Sequence, residues 1–75
     1  MQKEKIILSD IQKNLAEAIK QSGLTQTEIA KRLGVAHSQV SCYVRGKKMP
    51  ALDTFANLCV ILDVDPADIL CFNKI

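Results

Sequence analysis

The segment TQTEIAKRLGVAHSQVSCYVRG, residues Thr25 to Gly46, decides the fold that the sequence predicts. It begins with Thr-x-x-Glu, a capping box in which both side chains satisfy free N–H groups at a helix start. Gly34 follows two helical turns later, where a helix-ending glycine is expected. A second helix is predicted from about Ala36 to Arg45. A short turn that begins with glycine sets two helices at a steep angle, so the segment predicts a helix-turn-helix.

Three further helices are predicted on either side of this segment. The first runs from about Ser9 to Gln21, and its Ser-x-x-Gln start indicates a second capping box. The fourth runs from about Ala51 to Leu62, and the fifth has Asp65 as N-cap and Pro66 at its first helical position. No stretch alternates for long enough to form a strand. We therefore expect an all-α protein, a compact five-helix bundle in which helices 2 and 3 form the helix-turn-helix.

The apolar spacing within each helix predicts the core. For the first three helices the expected core residues are Leu8, Ile11, Leu15, Ala18, Ile19, Ile29, Ala30, Leu33, Val40, Tyr43 and Val44. For the last two they are Leu52, Phe55, Ala56, Cys59, Leu62, Ile69 and Leu70.

Length and composition indicate one globular domain, 1–75, with a core of about 8–70. The chain has 75 residues, 48% of them hydrophobic and 24% charged, which is ordinary for a soluble domain. Its three cysteines form no CxxC pair, and the sequence contains no apolar run of about 20 residues. Since the N-terminal apolar run is only three residues long, we expect no signal peptide. We expect a cytoplasmic protein with reduced thiols and no membrane contact.

Charge is distributed unevenly along the chain. Residues 1–48 hold nine Lys and Arg against four acids, a net charge of +5. Residues 49–75 hold one Lys against four Asp, a net charge of −3. Phosphate-binding proteins concentrate positive charge on one face, so this asymmetry favours a nucleic-acid partner.

Residues suited to catalysis or metal binding are not grouped in the sequence. Paired carboxylates, a phosphate-cradling glycine loop and metal-ligand spacing are all lacking. His37 and Cys42 are five residues apart and do not share a helix face, and the chain has no second histidine. We expect neither an enzyme nor a bound metal, cofactor or small-molecule substrate.

The second helix of the motif begins with polar side chains and carries no acid. The major groove of B-DNA is about 12 Å wide and admits one helix, whose N-terminal side chains then lie against base edges. We therefore predict that the helix from about Ala36 to Arg45 reads the major groove.

Several stretches of this sequence resemble the phage-repressor-like (XRE) helix-turn-helix family. They are Thr-Gln-x-Glu-Ile-Ala-Lys-Arg-Leu-Gly-Val at 25–35, Val40-Ser41, Arg45-Gly46-Lys47 before Pro50, Leu52-Asp53-Thr54 and Ile61-Leu62-Asp63-Val64. Together they extend over roughly residues 8–70. The resemblance implies a sequence-specific, double-stranded DNA-binding transcriptional regulator, most simply a repressor that occupies its operator as a weak homodimer.

Carried over position by position, the resemblance assigns two sets of residues to DNA. Those implied to read bases are His37, Ser38 and Cys42, with Gln39 and Ser41 beside them. Those implied to contact phosphate are Thr25 and Gln26 at the start of the second helix, and Arg45, Lys47 and Lys48 in the loop after the third. Helix N-termini bind anions, and nearby cations add to the attraction, which agrees with this assignment.

Three positions depart from the family's usual residues. Ala36 stands where Ser or Thr usually caps the reading helix, a loss of roughly 1 kcal/mol. Cys42 replaces an Arg or Gln that could bind a base with two hydrogen bonds. Asp63 stands in place of Gly in the turn before the fifth helix.

One alternative function uses the same fold. The chain could be a protein-interaction module, such as an antitoxin or anti-repressor partner. It would then bind through its acidic C-terminal half or its apolar Cys71-Phe72 tail.

Overall fold

The computed structural model describes residues 5–72 and is entirely helical over that range, apart from turns and connecting loops. The first four and last three residues of the predicted domain lie outside the described part. The helices are α1 (Leu8–Gln21), α2 (Gln26–Leu33), α3 (His37–Val44), α4 (Leu52–Leu62) and α5 (Pro66–Ile69). The predicted order, number and type of element are confirmed. No helix in residues 5–72 is long and apolar enough to cross a membrane.

The start of α2 and the turn after it follow the sequence signals. Thr25 accepts a hydrogen bond from the Glu28 N–H, and the Glu28 side chain accepts one from the Thr25 N–H, so the capping box is complete. At the other end, Gly34 has a φ of 77°. That left-handed conformation favours glycine, because a Cβ would approach the neighbouring backbone. The Gly34 N–H donates to the Ala30 carbonyl at 2.8 Å and closes the helix before α3 begins.

The first helix begins one residue earlier than predicted and without a side-chain cap. Its N-cap is Ile7, whose carbonyl accepts hydrogen bonds from the N–H groups of Asp10 and Ile11. The predicted capping box at Ser9 is wrong, because Ser9 already lies inside the first helical turn. A hydroxyl at that position is too far along the helix to act as the N-cap acceptor.

A continuous core lies between the helices. α3 packs on α1 and α2, while α4 packs on α2 and α5 packs on α1. The buried side chains of the core are Leu15, Ile19, Ile29, Ala30, Val40, Tyr43, Phe55, Leu58, Cys59, Leu62 and Ile69. Most predicted core positions are confirmed, with Ile11, Ala18, Leu33, Val44 and Leu70 packed against the core while partly exposed.

The predicted stripe of α4 is rotated from the buried face. Phe55, Leu58, Cys59 and Leu62 are the buried residues of this helix. Leu52 is 88% exposed, and Ala56 is exposed as well, so their predicted burial is wrong. Helical side chains lean towards the N-terminus, so Leu52 in the first turn points beyond the end of the core. Leu8, also predicted to be buried, occupies the corresponding first position of α1 and is exposed.

Two features secure the C-terminal part of the chain. Asp63 follows α4 with φ 56° and ψ 50°, so an aspartate occupies a left-handed turn position that suits glycine. Asn14 of α1 donates its amide N–H groups to the Ile69 carbonyl at 3.1 Å and to the Cys71 sulfur at 3.3 Å. Cys71 is buried, and only Phe72 of the predicted apolar tail is exposed.

Replacement of Leu58 by alanine tests whether the buried face of α4 is assigned correctly. Leu58 is fully buried, so Leu58→Ala is expected to lower the free energy of unfolding by about 2–5 kcal/mol. Leu52→Ala is the matched control on the same helix and is expected to change it by less than about 0.5 kcal/mol. Urea denaturation of both variants measures the difference. Equal losses would contradict the assignment.

Candidate nucleic-acid interface

The third helix has one buried face and one polar face. Val40 and Tyr43 are 0% and 2% exposed and hold α3 against the core. Ser38, Cys42 and Arg45 follow one another at i, i+4 and i+7, so they lie along one stripe of the opposite face. His37 and Ser38 are exposed, and Cys42 is half-buried. The structure thus brings Ser38 and Cys42, two of the predicted base-reading residues, to a common surface.

The N-terminus of α3 has free backbone donors. Ala36 is the N-cap and provides no side-chain hydrogen bond, as the sequence predicted. The Gln39 N–H donates to the Ala36 carbonyl at 3.0 Å. The N–H groups of His37 and Ser38 precede that bond and, like those at any helix start, have no partner within the helix. They are placed to bind an anion or an acceptor on a base edge.

The side chain of Gln39 forms a hydrogen bond within the protein. Its Nε2 donates to the hydroxyl of Tyr43 at 3.1 Å, one turn further along the helix. The bond satisfies the polar end of an otherwise buried tyrosine. Gln39 therefore lies at the edge of the polar face, and its contact with Tyr43 was not predicted from the sequence. The sequence signal that could have predicted this contact is the four-residue spacing, which places two side chains on adjacent turns of a helix.

Ser41 is also bonded to another predicted site residue. Its hydroxyl donates to Oε1 of Gln26, with 2.6 Å between the oxygens. Gln26 is the first residue of α2, so this bond links the predicted base-reading helix to the predicted phosphate contact. Nothing in the sequence signalled the pair, because the two residues lie 15 positions apart.

The hydroxyl of Thr25 is already hydrogen-bonded within the N-terminal cap of α2. Its hydroxyl accepts from the Glu28 N–H at 3.1 Å and lies 3.4 Å from a Glu28 carboxylate oxygen. A phosphate at the start of α2 would instead meet the backbone N–H groups of the first turn and the side chain of Gln26. Both the free N–H groups and the helix dipole favour an anion there.

The loop after α3 carries three exposed cations, Arg45, Lys47 and Lys48. Two hydrogen bonds shape this loop. The Lys47 N–H donates to the Cys42 carbonyl at 2.9 Å, and Nε2 of Gln12 in α1 donates to the Gly46 carbonyl at 3.2 Å. Gln12 is a position that sequence reasoning missed, since it lies 34 residues away from the loop.

Four acidic side chains are collected on a different part of the surface. Glu17, Asp63, Asp65 and Asp68 line an open groove between α1 and the α4–α5 turn. None of the groove-lining residues belongs to α2 or α3. The uneven charge of the sequence therefore becomes an acid-free face on α3 with a cationic rim at its C-terminal end.

The three thiols differ in their surroundings. Cys59 is buried, as predicted, and its burial, followed by the charge of Asp65, raises the pKa of its thiol. Cys71 is buried as well. Cys42 is the half-buried thiol of the described chain and belongs to the polar face of α3.

The chain is similar to known helix-turn-helix proteins over most of its length. A family model described as Helix-turn-helix (HTH_3) matches residues 15–69, which include α2 and α3. No curated protein matches the sequence closely enough to count as a relative.

Three solved structures illustrate the likeness. The SOS-response transcriptional repressor LexA from Eubacterium rectale is 26% identical, with a TM-score of 0.73 over 83% of this chain and 66% of that chain. The restriction-modification controller protein C.AhdI from Aeromonas hydrophila is 27% identical, with a TM-score of 0.69 over 80% and 91%. The clp gene regulator ClgR from C. glutamicum is 26% identical, with a TM-score of 0.69 over 92% and 91%. This chain therefore spans slightly less than two thirds of the LexA chain and most of the other two.

The reactivity of the cysteines tests the placement of Cys42. A thiol reagent should modify Cys42 first, because attack requires an accessible thiolate and the other two thiols are buried. Mass spectrometry after peptide digestion measures the order. A duplex that the protein binds should slow modification of Cys42 and leave the other thiols unchanged. Fast modification of Cys42 in a saturated complex would show that this face does not contact DNA.

Proposed function

We propose that this chain, which belongs to the helix-turn-helix family whose model matches residues 15–69, is a sequence-specific repressor of transcription. Membership of this family identifies the general class of the chain as that of the DNA-binding transcription regulators. The sequence selectivity, the direction of regulation and the roles of individual residues are the parts that we propose.

The observation that carries the proposal is the polar, acid-free face of α3. Val40 and Tyr43 fix the rotation of the helix, so Ser38 and Cys42 are presented together on the outside. A helix in the major groove contacts bases through side chains near its N-terminus. We assign base contacts to His37, Ser38 and Cys42, with Gln39 and Ser41 beside them.

Two segments on either side of α3 supply the proposed phosphate contacts. Thr25 and Gln26 begin α2, where free N–H groups attract an anion. Arg45, Lys47 and Lys48 form the cationic loop after α3, and their exposure leaves the side chains free to reach the backbone. Phosphate contacts position a protein on the duplex, and base contacts select the sequence.

Repression is the simplest consequence of binding to an operator. Occupation of the operator blocks access to it by steric overlap, whereas activation needs an additional contact with the transcription machinery. One structural neighbour, LexA from Eubacterium rectale, is a transcriptional repressor, which supports this direction. We also place the protein in the cytoplasm, where thiols stay reduced.

A weak homodimer completes the proposal. Half-sites one helical turn apart, roughly 34 Å, suit two copies related by a two-fold axis. Phe72 is 63% exposed at the end of the described chain, and a large exposed aromatic side chain is suited to an interface. We propose that Phe72 and the turn after Leu62 contribute to contact between the copies.

Alanine substitutions separate phosphate contacts from base contacts. Duplexes are first selected from a random pool with the wild-type protein. Lys47→Ala and Lys48→Ala should each weaken binding to all sequences alike and reduce the salt slope by about one ion. Ser38→Ala should instead change the preferred base at one position of each half-site.

Lys31→Ala is the matched control, because it removes the same charge from the last turn of α2, away from the proposed phosphate site. It should leave both the salt slope and the preferred bases unchanged. Identical effects of the Lys47, Lys48 and Ser38 variants on every duplex would contradict base reading by α3. A wild-type protein that selects no sequence at all would favour the protein-interaction alternative.

The mass of the complex tests the homodimer. Sedimentation should show mostly monomer for the free protein at low micromolar concentration and two copies on one selected duplex. Phe72→Ala should reduce cooperative binding of the second copy while one half-site is bound as before. Saturation at one copy on a site without two-fold symmetry would contradict the homodimer.

A further inference from the structure

The fourth helix is apolar on its solvent side as well as on its buried side. Eight of the eleven residues of Leu52–Leu62 are apolar, and the helix carries one acid and no lysine or arginine. Phe55, Leu58, Cys59 and Leu62 account for the buried side. A helix that is apolar all round is expected to be covered all round. The composition of α4 therefore indicates a contact that the single chain does not make.

Three apolar side chains form a row on the solvent side of this helix. Leu52, Ala56 and Val60 are spaced by four residues, which places them along one inclined row of the helix surface. Leu52 is 88% exposed, Val60 is 79% exposed, and Ala56 is exposed as well. Asp53 and Asn57, which are also exposed, follow the first two of these residues. We call Leu52, Ala56 and Val60 the α4 ridge.

The order of side-chain sizes along the α4 ridge is nearly the same in both directions. A small alanine lies between two branched aliphatic side chains. When two such rows cross at the alanine, the helix axes approach closely and each row packs into the groove beside the other. A closed two-fold dimer requires a surface that is complementary to itself in this way. The α4 ridge therefore fits a second copy of the same chain.

Electrostatics favour an antiparallel arrangement of the two helices. Lys47 and Lys48 precede the α4 ridge and leave its N-terminal end cationic in spite of Asp53, whereas Asp63 and Asp65 follow its C-terminal end. Antiparallel helices bring the cationic end of one copy towards the acidic end of the other, and parallel helices bring like charges together. The helix dipoles favour the same arrangement.

The area of the α4 ridge indicates a weak contact. Stable interfaces bury about 800 Å² on each partner, and three aliphatic side chains cover only a part of that area. Association through the α4 ridge should therefore be weak in the free protein and stronger on DNA, where neighbouring half-sites raise the effective concentration of the second copy. The turn after Leu62, which we assigned to the homodimer contact, lies at the C-terminal end of the ridge.

We propose that the α4 ridge is the contact surface for a second copy of this chain, with the two α4 helices antiparallel and crossing at Ala56. Leu52 of each copy then packs against Val60 of the other copy. This inference deepens the homodimer of the proposed function and rests on it.

Disulfide formation between introduced cysteines tests the crossing point. The background is Cys42→Ser, because Cys42 is the half-buried native thiol and the other two are buried. A disulfide needs Cα atoms about 4.4–6.8 Å apart, which helices with axes about 8–10 Å apart reach where they cross. With oxidised glutathione as the oxidant, concentrated Ala56→Cys protein should therefore form a covalent dimer without DNA. Glu17→Cys, at an exposed position of α1, is the control and should not.

A mixture of Leu52→Cys and Val60→Cys chains in the same background tests the orientation. Antiparallel helices bring these two positions together, so the covalent dimers should contain one chain of each kind. Intact mass distinguishes such dimers from dimers of one kind. Dimers of Leu52→Cys alone and of Val60→Cys alone, without the mixed dimer, would overturn the antiparallel arrangement.

Cooperative binding to a selected duplex with two half-sites tests the same surface on DNA. Val60→Lys should reduce the cooperativity by about 10-fold or more, which is the effect of one valine side chain that is no longer buried. Gln21→Lys adds the same charge at an exposed position of α1 and should leave the cooperativity unchanged. Both variants should bind a single half-site as the wild-type protein does, and thermal unfolding checks that each remains folded.

Failure of the inference and failure of the proposed function give different results. If Ala56→Cys forms no more covalent dimer than the control, or if Val60→Lys keeps full cooperativity, the inference is overturned, and the proposed DNA binding stands when the wild-type protein still selects a duplex. If the wild-type protein selects no duplex while the mixed Leu52→Cys and Val60→Cys dimer forms, the proposed DNA recognition fails and the contact between copies stands.

Discussion

Burial of Val40 and Tyr43 is the constraint on which the arrangement of this surface depends. Both side chains lie in the core formed with α1, α2 and α4. Because they are three residues apart, they project from the same side of the helix, and only one rotation of α3 about its own axis buries both. Loss of that burial would expose apolar area worth a few kcal/mol. The rotation of α3 about its axis is therefore fixed by the burial of its apolar side. Its polar stripe faces the solvent as a consequence.

Hydrogen bonds between distant parts of the chain arrange the side chains around that helix. Gln12 reaches from α1 to the loop after α3, and Ser41 reaches from α3 to the start of α2. Each bond is worth only about 1 kcal/mol to stability. Both bonds also hold the loop after α3 and the start of α2 in place before a partner binds, and ordering a surface in advance lowers the entropic cost of binding.

The charge distribution gives this surface a long-range role as well. Three acids of the α4–α5 side, Asp63, Asp65 and Asp68, line a groove that none of the cations after α3 enters. An uneven charge distribution of this kind orients the encounter with a nucleic acid as well as strengthening it. The attraction falls with salt, since exposed charges are screened beyond about 10 Å at 0.1 M.

The sequence by itself determined the local features of this protein, and the tertiary structure decided how they meet. The capping box at Thr25, the glycine after α2 and the five helices follow from interactions within a few residues. The exposure of Leu52, the burial of Cys71 and the bond between Ser41 and Gln26 do not. They depend on where along one helix the contact with its neighbour begins and ends. Helical periodicity predicts on which face of a helix a residue lies, but it does not predict the distance of that residue from a neighbouring helix. The candidate site could therefore be named from the sequence as a set of residues, which stays a prediction, whereas the contacts among those residues required the packed chain.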